Sequence, residues 1–213
     1  MLTEVSKDLY RSHFTQDPHP YISDGFIELV ESKTDKLVRL IAAGDNTSIG
    51  LIAGVKDNIL SAPFSAPFGG FHYIHDDVYY SDIFNFLSQL KEYALDQRLE
   101  KMSITLPPNI YNSSMNAKFV NAFVRQGYTM EIPDIVNWID LKLFDGIWKR
   151  KRIAENCKSA IKNNLTFSYV TDEKSMMEAY EVIVNNRTML GHQIYLSFQD
   201  LMDVNKLFPV PSV

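Results

Sequence analysis

The chain has little cysteine, little net charge and no long apolar run. Cys157 is the only cysteine in 213 residues, which excludes an intrachain disulfide and a thiolate metal cluster. No apolar run is long enough to cross a bilayer, and residues 1–13 lack a signal-peptide core. The net charge of −5 speaks against non-specific nucleic-acid binding by the whole surface. These absences predict a cytoplasmic protein in a reducing compartment.

Histidine is sparse as well, with five residues in the chain. Only His72 and His75 are close to each other in sequence. On a strand their side chains would point to opposite faces of the sheet. We therefore expect no metal site.

The run TSIGLIAGVKDNILSAPFSAPFGGFHYI at 47–74 is almost free of charge. Two apolar runs joined by the polar turn at 55–59 predict a hairpin of antiparallel strands. Pro63, Pro67 and the Gly69-Gly70 pair then interrupt the next strand, because proline lacks a ladder donor and glycine permits positive φ. The interruption has two interpretations: a bulged strand that only shapes the fold, or a backbone opened to receive a substrate.

Capping residues and hydrophobic periodicity predict the other elements of a first unit. After a short leader these are a helix over 26–32 capped by 23–25, a strand over 36–42, a turn at 44–46, a helix over 81–97 capped by Ser81 or the preceding aspartates, a strand over 102–106, a helix capped by Ser113 or Ser114 and closed by Gly127, and strands over 128–132 and 135–141. The predicted fold class is α+β, with a mixed, mainly antiparallel sheet flanked by helices.

A second unit is predicted to begin at Asp145. It would contain a basic helix to about Asn163, a strand over 165–170, and helices over 173–189 and 197–207. A lone strand has no sheet to pair with, so we expect domains at 1–144 and 145–213, the second being incomplete. A fragment or an absent tail would explain this, and an exchange of strands within a homodimer is the alternative.

The order of elements over residues 24–143 is similar to the GNAT acyltransferase fold. The sequence FVRQGY at 123–128 looks like the Gly-aromatic junction before a late GNAT strand. FSAPFGG at 64–70 resembles a bacterial group of tandem GNAT proteins akin to the FemABX aminoacyl transferases. KRKRI at 149–153 and SAIKNNLT at 159–166 look like the basic helix and strand that open the second half of such proteins.

This resemblance implies transfer of an acyl or aminoacyl group to an amine, with acetyl-CoA or another acyl donor as cofactor. The acceptor would be a small-molecule or peptide amine, and the FemABX-like features would imply aminoacyl-tRNA or a peptidoglycan precursor as a partner. GNAT domains normally hold the CoA pyrophosphate at a helix N-terminus that follows an Arg/Gln-x-x-Gly-x-Gly/Ala loop. That loop does not occur here, and Asp76, Asp77 and Asp82 would oppose a pyrophosphate at the corresponding junction. We therefore expect the donor site to lie outside this chain.

Acyl transfer needs a proton acceptor and donors that stabilise the oxyanion. His72 and Tyr73 follow the Gly69-Gly70 break and, together with Phe68, are candidate substrate-binding residues. No carboxylate partner is fixed by spacing, so a structural role is the alternative for each. No catalytic residue is assigned.

Basic residues of the second unit form another candidate group. Lys158 and Lys162 are an i,i+4 pair on the helix that carries the basic run 149–152. They are candidates for binding a phosphate or carboxylate of a substrate or of RNA, and Arg187 is a candidate carboxylate clamp. The alternative is a solvated surface that keeps the protein soluble.

The sequence therefore favours two functions. The first is an acyltransferase of the GNAT/FemABX-like type. The second is a non-catalytic binding or assembly module on the same scaffold; a phosphate-binding loop downstream of Val213 would favour the enzyme, and its absence there would favour the module.

Overall fold

A computed structural model describes residues 1–42, 48–148 and 150–209 of the chain. The expected turn at 44–46 and Lys149 of the basic run lie outside these residues. The chain divides into two compact units, Met1–Pro133 and Asp134–Val213. The boundary between the units lies earlier in the chain than the predicted boundary after Phe144, because the segment that follows Pro133 does not join the sheet of the first unit.

Unit 1 is an α+β domain. Its elements are β1 (Leu2–Glu4), α1 (Lys7–His13), α2 (Asp24–Val30), β2 (Lys36–Ala42), β3 (Ile49–Lys56), β4 (Ile59–Ala62), β5 (Phe71–Tyr73), α3 (Tyr80–Asp96), β6 (Lys101–Ile104) and α4 (Ser113–Arg125). The α+β class and the mixed, mostly antiparallel sheet flanked by helices are confirmed.

The strands form one sheet in the order β1-β2-β3-β4-β6, with β5 also paired to β3. All described strand pairs are antiparallel except β4 and β6, which are parallel. Since β4 and β5 are both antiparallel to β3, they run in the same direction as β6. The C-terminal ends of β5 and β6 therefore point the same way.

The hairpin predicted within 47–74 is confirmed, and its second strand is split into β4 and β5. Gly54 pairs with Ser61 at one end of β3, and Leu51 pairs with Phe71 toward the other. Residues 63–70 leave the sheet between these two pairings. Proline and glycine thus interrupt strand pairing where the sequence predicted an interruption.

Local signals placed most helix and strand bounds closely. The strand over 36–42 is confirmed, and Asp57 and Asn58 form the hairpin turn with φ of 50° and 59°. Two predicted caps are wrong. Tyr79 precedes α3 without a side-chain capping bond, and the cap of α4 is Asn112, whose side chain accepts a hydrogen bond from the backbone of Met115.

Alternating residues of the sheet pack against helices on its two faces. Val38 and Leu40 belong to the larger core with α3 and α4, whereas Ile41 and Ile52 pack with α1 and α2. Gly50 is needed on the second face, because a Cβ there would lie 2.6 Å from the Tyr10 hydroxyl.

The expectation of a short leader before the first helix is wrong. The leader contains β1, which pairs with β2, and α1, which places Tyr10 and Phe14 in the core. Both elements are short and depend on tertiary contacts, so their local sequence signal is weak.

The strands predicted over 128–132 and 135–141 are wrong, since neither segment forms a strand. Both lack a described partner strand, and a β-prone segment forms a stable strand only when another strand supplies its hydrogen bonds. The second segment also ends in a turn, where the side chain of Asp140 accepts from the backbone of Lys142.

Unit 2 contains α5 (Lys151–Lys162), α6 (Glu173–Met189) and α7 (Phe198–Leu207). The predicted strand over 165–170 is absent, again without a described partner. Met176 is the only buried residue that the structure describes in this unit. Cys157 on α5 is half-buried. The second GNAT-like unit remains a prediction.

Candidate functional site

A cleft of about 360 Å³ opens in unit 1. Its walls come from three segments: residues 13–18 after α1, residues 73–76 at the end of β5, and residues 111–112 before α4. The cleft therefore lies at the C-terminal end of β5 and beside the loop that leaves β6.

A buried chain of hydrogen bonds lies beneath one wall of the cleft. His72 Nδ1 is 2.9 Å from the Tyr10 hydroxyl, and His72 Nε2 is 3.0 Å from Asp17 Oδ1. A carboxylate can only accept, so Nε2 carries the proton and donates to Asp17, while Nδ1 accepts from Tyr10. Burial lowers the pKa of His72 more than Asp17 raises it, which keeps the imidazole neutral at pH 7.

Asp17 is the member of this chain that lines the cleft. Arg11 Nη1 donates to the same oxygen, Oδ1, at 2.7 Å, and Arg11 also pairs with Asp24 at 2.8 Å. Burial alone would raise the pKa of Asp17, but hydrogen bonds from His72 and Arg11 lower it further than burial raises it. Among the described residues both hydrogen bonds end on Oδ1, so the cleft is lined by an ionised carboxylate whose Oδ2 is unused.

The Tyr10–His72–Asp17 chain has the connectivity of a nucleophile, a base and an orienting acid. Tyr10, however, is fully buried, and that burial raises the pKa of its hydroxyl well above the ordinary value. A hydroxyl that substrate cannot reach cannot act as a nucleophile. The chain instead fixes the position and charge of Asp17.

Asn112 and Asp76 form the opposite wall. Asn112 Nδ2 donates to Asp76 Oδ1 at 2.9 Å, while Asn112 Oδ1 caps α4 by accepting from Met115 at 3.0 Å. Tyr73, the last residue of β5, also lines the cleft. Burial raises the pKa of Tyr73 more than its hydrogen bond with Asn112 lowers it, so the hydroxyl remains protonated.

The cleft is thus suited to a cation with N–H donors. Its wall contains two carboxylates, of Asp17 and Asp76, together with the Tyr73 hydroxyl and the Asn112 amide. An ammonium group gains charge-assisted hydrogen bonds in such surroundings, whereas a phosphate is repelled. Among the described residues, no group of three or more histidine, cysteine or carboxylate side chains is placed to hold a metal ion.

The Gly69-Gly70 break is closed rather than open. Gly69 N donates to Thr105 O, and Thr105 N donates to Ala62 O, both at 2.9 Å. Thr105 therefore joins the two ends of the segment 63–70, which leaves the sheet. A Cβ on Gly69 would lie 2.7 Å from the backbone nitrogen of Pro63. Gly70 adopts a φ of 108°, which favours glycine. The described geometry therefore matches the first interpretation, a bulge that shapes the fold.

Phe68 connects the segment 63–70 to the segment after α1 through ring contacts. Its ring contacts His19 at 5.0 Å and Tyr21 at 4.9 Å between centroids. His19 is buried, and its Nε2 donates to Gly69 O at 2.7 Å, which leaves Nδ1 as an acceptor with no described partner. Burial lowers the pKa of His19 and keeps it neutral.

The structure brings only some of the predicted site residues to the cleft. Tyr73 lines it, and His72 acts behind it through Asp17. Phe68, Gly69 and Gly70 form the closed bulge and are not part of the cleft wall. His75 lines the cleft, and its Nδ1 lies beside Asp77 Oδ1.

The basic candidates belong to unit 2. Lys158 and Lys162 are exposed on α5, and Arg187 is exposed near the end of α6. None of these three side chains forms an ion pair with a described residue. They remain candidates for an anion site of unit 2 in their own right.

The sequence did not identify Asp17 and Asn112, which line the cleft, or Tyr10, which lies behind it. Tyr10 and Asp17 lie in the segment interpreted as a leader, and Asn112 was passed over as a cap in favour of the neighbouring serines. The available signal was the DPHPY run at 17–21, where two prolines and two aromatic residues follow a carboxylate. Such a run is typical of a rigid loop packed on a domain rather than of a free terminus.

In comparisons with family models, curated proteins and solved structures, no match to this chain is found. Among the described residues, no helix is both long and apolar enough to span a bilayer.

Proposed function

We propose that the chain is an N-acyltransferase of the GNAT/FemABX-like type, whose first unit binds the amine that accepts the acyl group. The strand order of unit 1 supports this proposal. A run of antiparallel strands followed by one parallel pair, β4 with β6, agrees with the part of the resembling succession of elements that ends at α4, whereas the strand expected after α4 is absent from the described residues. Fold agreement alone does not assign a substrate, so the argument depends on the cleft.

The observation that carries the proposal is the position of Asp17 and Asp76 in one cleft at the end of β5. Asp17 is held in place and ionised by His72 and Arg11, and Asp76 is oriented by Asn112. Fixed carboxylates bind an ammonium group without first reorganising, which favours affinity and orientation. An amine, whether a small molecule or a peptide, is the acceptor class that such a wall selects.

The acyl donor is assigned to a site outside this chain. Asp76 and Asp77 precede α3, and Asp82 lies in its first turn. These carboxylates favour the positive end of the helix and oppose a pyrophosphate there. A further polypeptide or a carrier would therefore present the donor, which is acetyl-CoA, another acyl donor or an aminoacyl-tRNA.

The acceptor site is tested with Asp76→Asn, which keeps the side-chain volume and removes the charge. Binding of spermidine and of L-lysine is measured by calorimetry, and transfer of labelled acetyl groups from acetyl-CoA is followed with the same amines. Loss of one charge-assisted hydrogen bond, about 1.5–3 kcal/mol, predicts a roughly 10- to 100-fold weaker amine affinity. The matched control is Asp77→Asn, because Asp77 is the neighbouring carboxylate and is not part of the cleft wall.

Equal weakening in both variants, or no amine binding by the unmodified protein, would refute the acceptor site. Acyl transfer by the chain alone would support the acyltransferase, whereas amine binding without transfer agrees with both an external donor site and the second candidate, a binding or assembly module. The carboxylates around the start of α3 favour that candidate, since they leave unit 1 without an attractive site for CoA.

A further inference from the structure

We propose that unit 2 binds a second copy of this chain by pairing β-strands formed from residues 135–139 and 165–170. This inference does not depend on the proposed function of unit 1. It concerns the two segments of unit 2 that the sequence predicts as strands and that the structure leaves unpaired. They are referred to below as the first and second strand segments.

Apart from the amide of Leu165, which donates to Ala160 O, the backbone of both segments lacks described hydrogen-bond partners. Among the described residues, no backbone–backbone hydrogen bond is formed by residues 135–139 or by residues 166–170. Valine, isoleucine, threonine and aromatic residues predominate in both segments, and these residue types favour a pleated, half-buried surface. Each segment therefore presents unused donors and acceptors along a β-prone sequence, which is the feature that templates pairing with another strand.

The side chains of the two segments are exposed as well. Ile135 is 90% exposed, Trp138 61% and Phe167 82%. The rings of Phe167 and Tyr169 contact each other at 5.1 Å between centroids. Contact between residues two positions apart places both rings on one side of an extended backbone, as in one face of a strand.

The number of strand segments points to a second copy as the partner. Two strands alone are marginally stable in water, whereas three or more with an apolar face are stable. One chain supplies two segments, and two chains supply four. A two-fold dimer pairs each segment with its own copy or with the other segment, so one self-complementary surface satisfies all four.

The exposed apolar area is sufficient for such an interface. At their exposed fractions, Trp138, Phe167 and Tyr169 together offer roughly 400 Å². The aliphatic side chains of the same segments bring the total to roughly the 800 Å² per partner that a specific interface buries. Met176 is the only buried residue described in unit 2, so this area has no competing use within the unit.

The proposal is tested on the chain of 213 residues by sedimentation equilibrium between about 1 and 100 µM. The expected mass is twice the 24.5 kDa of one chain. Phe167→Ser combined with Tyr169→Ser should weaken the dimer at least tenfold, since aromatic residues dominate interface energetics. The matched control is Tyr195→Ser, because Tyr195 is an equally exposed aromatic residue of unit 2 outside both segments.

Amide hydrogen exchange separates strand pairing from non-specific apolar contact. In the dimer, amides within 135–139 and 165–170 should be protected, and protection should decrease on dilution. A Ser168→Pro variant removes one backbone donor without changing the apolar side chains, so it should also weaken the dimer. A monomer at all concentrations, a dimer that Tyr195→Ser weakens equally, or a dimer with unprotected segments would each overturn the proposal.

Discussion

Helices α3 and α6 are both 17 residues long, yet they differ in what they bury. Helix α3 buries six side chains against the sheet of unit 1, whereas α6 buries only Met176. The two helices are therefore equal in length but make very different contributions to a core. A helix boundary is decided within a few residues, while a core requires a sheet whose strands come from distant parts of the chain.

The largest expected difference between the units comes from deleting a buried side chain. Leu90→Ala in α3 should lower the free energy of unfolding of unit 1 by about 2–5 kcal/mol, because Leu90 is completely buried and a cavity would remain. Val182→Ala in α6 should change the free energy of unfolding of the protein by less than about 0.5 kcal/mol, since Val182 is exposed. Urea unfolding followed by circular dichroism measures both.

Leu95→Ala is the control within α3, because Leu95 is 77% exposed on the same helix. If Leu95→Ala were as destabilising as Leu90→Ala, helix propensity rather than the core would explain the effect. The contrast between the two units would then lose its basis.

The next largest effect concerns the hydrogen-bond chain beneath the cleft. Tyr10→Phe removes the donor to His72 Nδ1 and leaves a buried acceptor without a partner, at a cost of about 1–3 kcal/mol in unfolding free energy. The matched variant in unit 2 is Tyr195→Phe, which removes an exposed hydroxyl and should be nearly neutral. Similar unfolding midpoints for the two variants would contradict the role assigned to Tyr10.

Helix caps give a smaller effect that should also differ between the units. Asn112→Ala removes the cap of α4 and should destabilise unit 1 by about 0.5–2 kcal/mol. Ser197→Ala removes the capping box of α7 and should reduce helicity without shifting the unfolding midpoint of unit 1. Ser114→Ala serves as the control within α4, and a shift of the same size there would argue against capping as the cause.

Acidification should weaken unit 1 gradually. Burial holds the pKa of His72 and of His19 below the ordinary value of 6.5, so the unfolded chain takes up these protons first. Stability is therefore greatest above about pH 7 and falls as the pH decreases through 6.5 toward the folded pKa values. The lowered pKa of Asp17 preserves its own contribution until more acidic pH.

Unfolding midpoints between about pH 7.5 and about pH 5 measure this dependence. His72→Gln should reduce the slope, because glutamine has no proton to gain. His13→Gln should not, since His13 takes no part in the buried chain of Tyr10, His72 and Asp17. An unchanged slope in His72→Gln would show that other groups control the pH response.

Much of unit 1 was predictable because its signals are local. The strand over 36–42, the turn at Asp57-Asn58 and the interruption of the strand after Ala62 all follow from residues at or next to the position concerned. The failed strands over 128–132, 135–141 and 165–170 have equally good local patterns. They lack a described partner strand, and no local pattern reports whether a partner exists.

Most of the candidate site was not predictable by the same means. Only His72, Tyr73 and the carboxylates before α3 were singled out from the sequence, and their relation to Asp17 was not foreseen. The contact between Tyr10 and His72 joins residues 62 positions apart, and that between Asp17 and His72 joins residues 55 apart. No rule of sequence spacing predicts such pairs, because they depend on how α1 packs against the sheet.

The sequence by itself determined the approximate bounds of most helices, which face of each strand is apolar, and where proline and glycine divide a strand in two. These features arise from hydrogen bonds and sterics within a few residues of the chain. The tertiary structure alone decided that α1 belongs to the core, that Asp17 is held ionised in a cleft, and that three strand-like segments remain unpaired. Those outcomes depend on contacts between distant segments, whose stability is known only once the sheet has formed.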